Sequence, residues 1–198
     1  MNITELNAHI IEWAKERELD TKGTVEAQAI KTVEELSELI KAICKDKKDD
    51  IIDSIGDVYV TLVIGNMLDK SIMMDFLQEE MNLLFDGKAK KACRKLGKRD
   101  KLDKMAELIQ LVLRCKYESY VIKGITYQLI EIAYLYKLDF TECVESAYNT
   151  IKNRHGVMID GVYVKDEDLA NAVIKEFDDE ITNAITKSIT NSFTNDLY

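Results

Sequence analysis

Apolar residues recur at helical spacing through most of the chain. Leu6, Ile10, Trp13 and Ala14 share one face of a segment that Thr4 can cap and that runs to about residue 18. Residues 20–23 read as a turn. Thr24 then caps a second helix to about residue 45, with an apolar arc of Ile30, Val33, Leu36, Leu39, Ile40 and Ile43. The charged cluster at 46–50 closes it and starts a third helix, at about 49–68, carrying Ile51, Ile55, Val58, Tyr59 and Leu62. So short a connection predicts that these two helices pack antiparallel. Further helices are expected at about 73–85, 102–114 and 117–136. Asp139, with Glu142 three residues on, gives a capping-box-like start to another, at about 139–154. One β element stands out: residues 157–159 and 162–164 flank Asp160-Gly161, a strong hairpin signal. Asp166 opens a last helix, and the Thr/Asn/Ile-rich tail at 179–198 either docks on a partner subunit or frays.

Composition agrees with this helical reading. The chain has 198 residues, 8 glycines and no proline, where roughly ten prolines are ordinary for this length. Helix breakers and tight-turn residues are thus scarce, which excludes collagen, Pro-rich linkers and most turn-rich sandwiches and barrels. The hydrophobic share of 46% suffices for a core. A formal charge of −9 makes nucleic acid a poor non-specific partner, yet leaves room for a nucleotide whose charge a divalent cation bridges. Cysteines at 44, 93, 115 and 143 have neither zinc nor disulfide spacing, so reduced core thiols in the cytoplasm are expected. No signal peptide is expected at the start. The most apolar run, 58–68, is about half a spanning length, so no membrane is expected either. Residues 88–104 hold nine Lys or Arg against two Asp. This run reads as a solvated surface or as a basic patch for an anionic partner.

Candidate chemistry lies along the edges of the second and third helices. Gln28, Lys31, Glu35 and Glu38 form one polar stripe; Asp50, Asp53 and Asp57 form another. Antiparallel packing can bring Glu35 and Glu38 opposite Asp53 and Asp57. Facing carboxylates repel unless a cation lies between them, and ligands with oxygen alone favour Mg²⁺, with Mn²⁺ as a substitute. The same residues also read as solvated charges on two surface helices.

KTVEELSELIKAI at 31–43, followed by DSIGDVYVTL at 53–62, resembles the MazG family of all-α nucleoside triphosphate pyrophosphohydrolases. Glu34, Glu35 and Glu38 match its Glu-Glu-x-x-Glu motif, and Asp57 matches the end of its Glu-x-x-Asp motif. DFTECVESAYNTIKNRHGVMIDGVYVKDEDL at 139–169 is similar to the C-terminal helix and hairpin of phage-type members. IIEWAKER and EAQAIKTVEE fit as well. Position 54 departs from the motif, with Ser where Glu is usual; Asp53, one residue earlier on the same side of the helix, is inferred to take its place. The resemblance implies an all-α, MazG-like four-helix core within 1–170, a helical insertion at about 69–116, a small C-terminal β-hairpin, and a terminal helix or tail at 171–198.

The resemblance also implies a reaction: Mg²⁺-dependent cleavage of the α–β phosphate bond of a (d)NTP to a monophosphate and pyrophosphate. Glu35, Glu38, Asp53 and Asp57 are the implied metal ligands, with Glu38 or Glu35 also taking the attacking water's proton. A further Mg²⁺ arriving with the triphosphate is expected. Asn149 and Lys152, with Glu145 nearby, are first choices for phosphate and metal-water contacts. Arg154 is second, since it turns away from Lys152 on an ideal helix. Lys31 reaches phosphate or simply pairs with Glu35. Trp13 stacks on the base or belongs to the core. His9 and His155 have no metal-spaced partner.

Relatives assemble, and Ile159 and Val162 would suit an interface, so a homodimer or homotetramer is expected. Two alternatives stay open. One is a non-catalytic helical module that binds nucleotide or protein; Ser54 keeps it open. The other is a dUTP- or dCTP-specific relative with the same layout.

Overall fold

A computed structural model describes residues 1–69, 103, 107, 110, 119–171 and 182–183. The expected helix at 73–85, nearly all of the expected helix at 102–114, of the basic run and of the insertion, and most of the tail lie outside these residues. The described chain is mostly helical, with one small antiparallel sheet: α1 (Ile3–Glu16), α2 (Leu19–Lys22), α3 (Val25–Lys45), α4 (Lys48–Asp69), α5 (Ser119–Leu135), α6 (Phe140–Ile151), β1 (Gly156–Ile159) and β2 (Val162–Lys165).

Helix starts follow side-chain capping. Asn2, rather than Thr4, caps α1. Its Oδ1 accepts from the Glu5 N–H, and Glu5 returns a carboxylate to the Asn2 N–H, each at 2.9 Å. Thr24 caps α3 as expected, accepting from Ala27 N at 3.1 Å. Asp139 caps α6 by accepting from the Thr141 and Glu142 N–H groups. Helix ends use left-handed residues that are not glycine: Glu18, Asp46 and Lys137 have φ of 58°, 52° and 56°. After α3 and α5 the chain closes with Lys47 N to Ala42 O at 3.1 Å and Leu138 N to Ala133 O at 2.8 Å. These are the long-range bonds of a Schellman turn.

The core is built around α4, which packs against α1, α2, α3, α5 and α6. Val58 through Asn66 are all buried, whichever side of the helix they face; such a stretch belongs in the middle of a fold. At 22 residues and mean hydropathy 1.4 it is also long and apolar enough to cross a membrane, but 72% of that window is buried among the other helices. Gly56 lets α6 come close. A Cβ there would sit 2.3 Å from the Cys143 carbonyl oxygen and 2.6 Å from Ala147 Cβ. Tyr59 is fully buried, donates from its hydroxyl to Asn7 on α1 at 3.0 Å, and meets Phe140 edge-on at 5.1 Å.

Three details differ from the sequence reading. Ile30 and Val33 are 72% and 45% exposed. The face of α3 that turns inward is instead Gln28, Thr32, Glu35, Leu36, Leu39, Ala42 and Ile43, because α4 covers the polar stripe's side of the helix. Cys44 is exposed, while Cys143 is buried as expected and burial, with Asp139 and Glu142 nearby, pushes its thiol up to about 11. Finally, α6 ends at Ile151, before Arg154. Arg17 takes up the carbonyls beyond it, donating to Arg154 O at 2.9 Å and Lys152 O at 3.4 Å.

The hairpin is as expected. Ile159 pairs with Val162 across Asp160-Gly161, whose φ values of 49° and 81° are both positive, as a two-residue type I′ turn requires. Its tip rests on the start of α3, where a Cβ on Gly161 would lie 3.0 Å from Thr24 Cγ2. The inner face carries Gly156, Met158 and Tyr163. Val157, Ile159 and Val162 are exposed.

Candidate functional site

Because the hairpin tip reaches the α2–α3 joint, it roofs a cleft of about 760 Å³, measured with its open mouth. Leu19, Ala27, Val60, Ile64, Leu68 and Met158 supply apolar walls. Lys31 and Glu35 from α3, Asp57 from α4, Arg154 after α6 and Lys165 on β2 supply charge.

Antiparallel packing of α3 on α4 sets the carboxylate pair. Gln28, at the start of α3, donates to Thr61 O late in α4 at 3.1 Å. One turn or two further in, Glu35 and Asp57 then meet. Glu35 is buried and Asp57 half-buried. Burial first, then repulsion from Glu35 and Asp53, pushes the Asp57 carboxyl up to about 7, against the opposing pull of Arg154 and Lys31. Lys31 is an ion-pair partner of both Glu34 and Glu35, at 2.8 Å each. Burial works to lower its ammonium pKa, but the two glutamates outweigh that and hold it above its ordinary value.

Glu38 and Asp53 do not line the cleft. Both are exposed, though Asp53 is close enough to push on Asp57. Ser54 is buried. Among the described residues no group of three or more Asp, Glu, His or Cys side chains is gathered tightly enough to hold a metal ion. The all-oxygen, mutually repelling donors Glu35 and Asp57 nevertheless suit a hard divalent cation. Mg²⁺ typically takes only one or two protein carboxylates, with water and substrate phosphate filling its other positions.

The expected phosphate contacts divide. Arg154 lines the cleft. Lys152 and Asn149 do not: both are exposed, and Lys152 donates to Asn149 at 2.8 Å. The neighbouring Ile151 is the α6 residue that turns inward, so Lys152 is carried away. Glu145 pairs with the Met1 amino group at 3.1 Å. Trp13 lines the cleft and is 7% exposed, with the Arg17 guanidinium 4.7 Å over its ring and Tyr163 set edge-on at 5.7 Å. His9 stacks on Tyr148 at 5.6 Å, away from the cleft.

Sequence reasoning missed Lys165. Its signal was the two-residue period of β2, which puts Lys165 on the same face as Tyr163. With it, the lining holds Lys31, Arg154 and Lys165 against Glu35 and Asp57.

Over 63 residues the chain is 41% identical to an uncharacterised 18.2 kDa protein of the rep-hol intergenic region of Haemophilus phage HP1. The match covers 32% of this chain and 39% of that protein, so the chain spans about two-fifths of the relative's length. No protein-family model matches the chain, and no solved structure matches it.

Proposed function

We propose that the protein is a Mg²⁺-dependent nucleoside triphosphate pyrophosphohydrolase of the MazG-like kind, cleaving the α–β bond of a (d)NTP to a monophosphate and pyrophosphate. One observation carries this reading: Glu35 and Asp57, from adjacent helices, repel each other in a cleft that also holds Arg154, Lys165 and an apolar recess. The carboxylates accept a cation, the basic side chains accept phosphate, and the recess accepts a base.

Glu35 and Asp57 would hold Mg²⁺ within the cleft, with Asp53 and Glu38 at its rim. The ion supplies charge neutralisation at phosphate oxygens and a more acidic bound water. Arg154 orients the triphosphate beside Asp57. Glu35 is the proton acceptor of choice, because it lines the cleft and Glu38 does not. Lys31, paired with Glu34 and Glu35, holds the Glu35 side chain in place until substrate arrives. The work is that of a cytoplasmic nucleotide-pool enzyme, and the match to a phage protein makes a phage setting the natural one. Exposed Ile30, Val33, Val157, Ile159 and Val162 support a homodimer or homotetramer, which light scattering at micromolar concentration tests.

The decisive assay is pyrophosphate release from a panel of NTPs and dNTPs, dUTP and dCTP included, with Mg²⁺. Release by the wild type and a loss of at least 100-fold in Glu35→Gln are expected. Absence of release from every nucleotide would overturn the enzyme reading. That result would favour a non-catalytic nucleotide-binding module, the reading that the Lys31–Glu35 pair and Ser54 support best.

A further inference from the structure

We propose that Lys165 is an anion-binding residue of this cleft, gripping the ligand's polyphosphate together with Arg154 from the hairpin wall. The inference rests on the cleft being a triphosphate site. It adds a residue from an element outside the acidic helices and makes the hairpin part of ligand binding.

Hairpin register is the first support. Gly156 pairs with Lys165 and Met158 with Tyr163. Side chains two apart share a face, so Lys165 lies with Tyr163 on the face that lines the cleft, where an apolar residue is ordinary. Lys165 is half-buried there.

Charge balance is the second. Among the described residues, ion pairs end on Met1, His9, Arg17, Lys22, Lys31 and Lys47. None ends on Arg154 or Lys165. Lys31 is already committed to Glu34 and Glu35. Neither Arg154 nor Lys165 is therefore committed to an ion pair, although Arg154 lies near enough to Asp57 to pull on its charge. Two such cations lining one cleft match a ligand with several anionic oxygens, and a polyphosphate has that chemistry.

Rigidity is the third. The Arg154 carbonyl accepts from Arg17 at 2.9 Å and from the Tyr163 hydroxyl at 3.4 Å. The Tyr163 ring lies across Gly156, where an added Cβ would be 2.9 Å from its Cζ and hydroxyl oxygen. Asp166 N donates to His155 O at 3.1 Å and closes the base of the hairpin. The backbone carrying both cations is thus fixed before any ligand arrives.

The test is calorimetric titration of the full chain with sodium tripolyphosphate, which has no base and needs no turnover. Wild type, Lys165→Ala, Lys165→Gln and Lys165→Arg are compared, with Lys41→Ala on the exposed side of α3 as control. Circular dichroism melts establish that each variant folds. The wild type is expected to bind, the Ala and Gln variants to lose about tenfold or more, and Arg to recover most of the loss. In nucleotide turnover, Lys165→Ala is expected to raise KM more than it lowers kcat. No binding by the wild type, or equal binding by folded Lys165→Ala and Lys165→Gln, overturns the proposal. The two readings fail separately. Nucleotide turnover indifferent to Lys165 removes this inference alone. Lys165-dependent tripolyphosphate binding without turnover of any nucleotide removes the enzyme reading alone.

Discussion

Asp57 offers the sharpest test of the carboxylate pair, because its environment makes folding depend on pH in an unusual direction. Its carboxyl is pushed from 3.8 to about 7 by burial and by the charges of Glu35 and Asp53. The folded chain therefore holds this proton more tightly than the unfolded chain. Below about pH 4 the group is protonated in both states and costs nothing. As pH rises towards 7 the unfolded state loses the proton first, and the native state is progressively penalised. Above 7 the penalty is constant. A pKa rise of this size corresponds to about 4 kcal/mol, or roughly 8–16 °C in Tm for a chain of this length. Asp57→Asn removes the charge and keeps the shape. It is expected to match the wild type within about 1 kcal/mol at pH 4 and to exceed its stability by up to about 4 kcal/mol at pH 8. Urea unfolding at half-unit pH intervals, followed by circular dichroism, measures the difference curve. Adding Mg²⁺ at pH 8 should stabilise the wild type and leave the Asn variant nearly unmoved, since a ligand of the native state alone shifts the balance by mass action. Equal pH slopes in the two proteins, or an Asn variant less stable at pH 8, would refute the placement of Asp57 beside Glu35.

Other residues carry predictions of their own. Gly56→Ala gains about 1 kcal/mol of helix propensity, but the 2.3 Å approach to the Cys143 carbonyl forces α4 and α6 apart, so a net loss of about 2 kcal/mol or more is expected by urea denaturation. Lys137→Gly relieves a left-handed residue at φ 56° and should stabilise by about 0.5–1 kcal/mol after glycine's entropic cost, read in the same assay. Iodoacetamide followed by peptide mass spectrometry should modify exposed Cys44 within minutes at pH 8. Buried Cys143, with its thiol at about 11, should react only as the chain unfolds.

What could be read from sequence depended on whether a signal was local. The Asp160-Gly161 hairpin, the Thr24 and Asp139 caps and the run of α4 rest on a few adjacent residues, and each is where the pattern put it. The inward face of α3 was harder. Ile30 and Val33 fit the apolar arc, yet α4 settles on the side that includes Gln28, Thr32 and Glu35. Buried Gln28 and Thr32 find acceptors in the Thr61 and Gln28 carbonyls, at 3.1 and 3.0 Å, so polarity did not keep them out. Glu35 and Asp57 were legible as facing stripes. Lys31 and Arg154 were legible as candidate cations, but Lys165 was not, because its place depends on α6 ending at Ile151 and on the hairpin folding back to Thr24. That return exchanges Lys152 for Lys165.

The carboxylate that destabilises the fold sits on its firmest element. Asp57 follows Gly56, where α6 leaves no room for a Cβ on α4, and precedes nine consecutive buried residues. A charge held near Glu35 would relax by moving away if its helix could rotate or slide. Here the side of α4 opposite the cleft is fixed by core packing, with the Tyr59 hydroxyl tied to Asn7. The repulsion is therefore retained in the native state, and the proposed cation would relieve it, as expected where a site is built on rigid secondary structure. Absence of proline has the same consequence: α3 and α4 run 21 and 22 residues without a helix-breaking ring. A kink in either one would turn Glu35 or Asp57 out of the shared cleft.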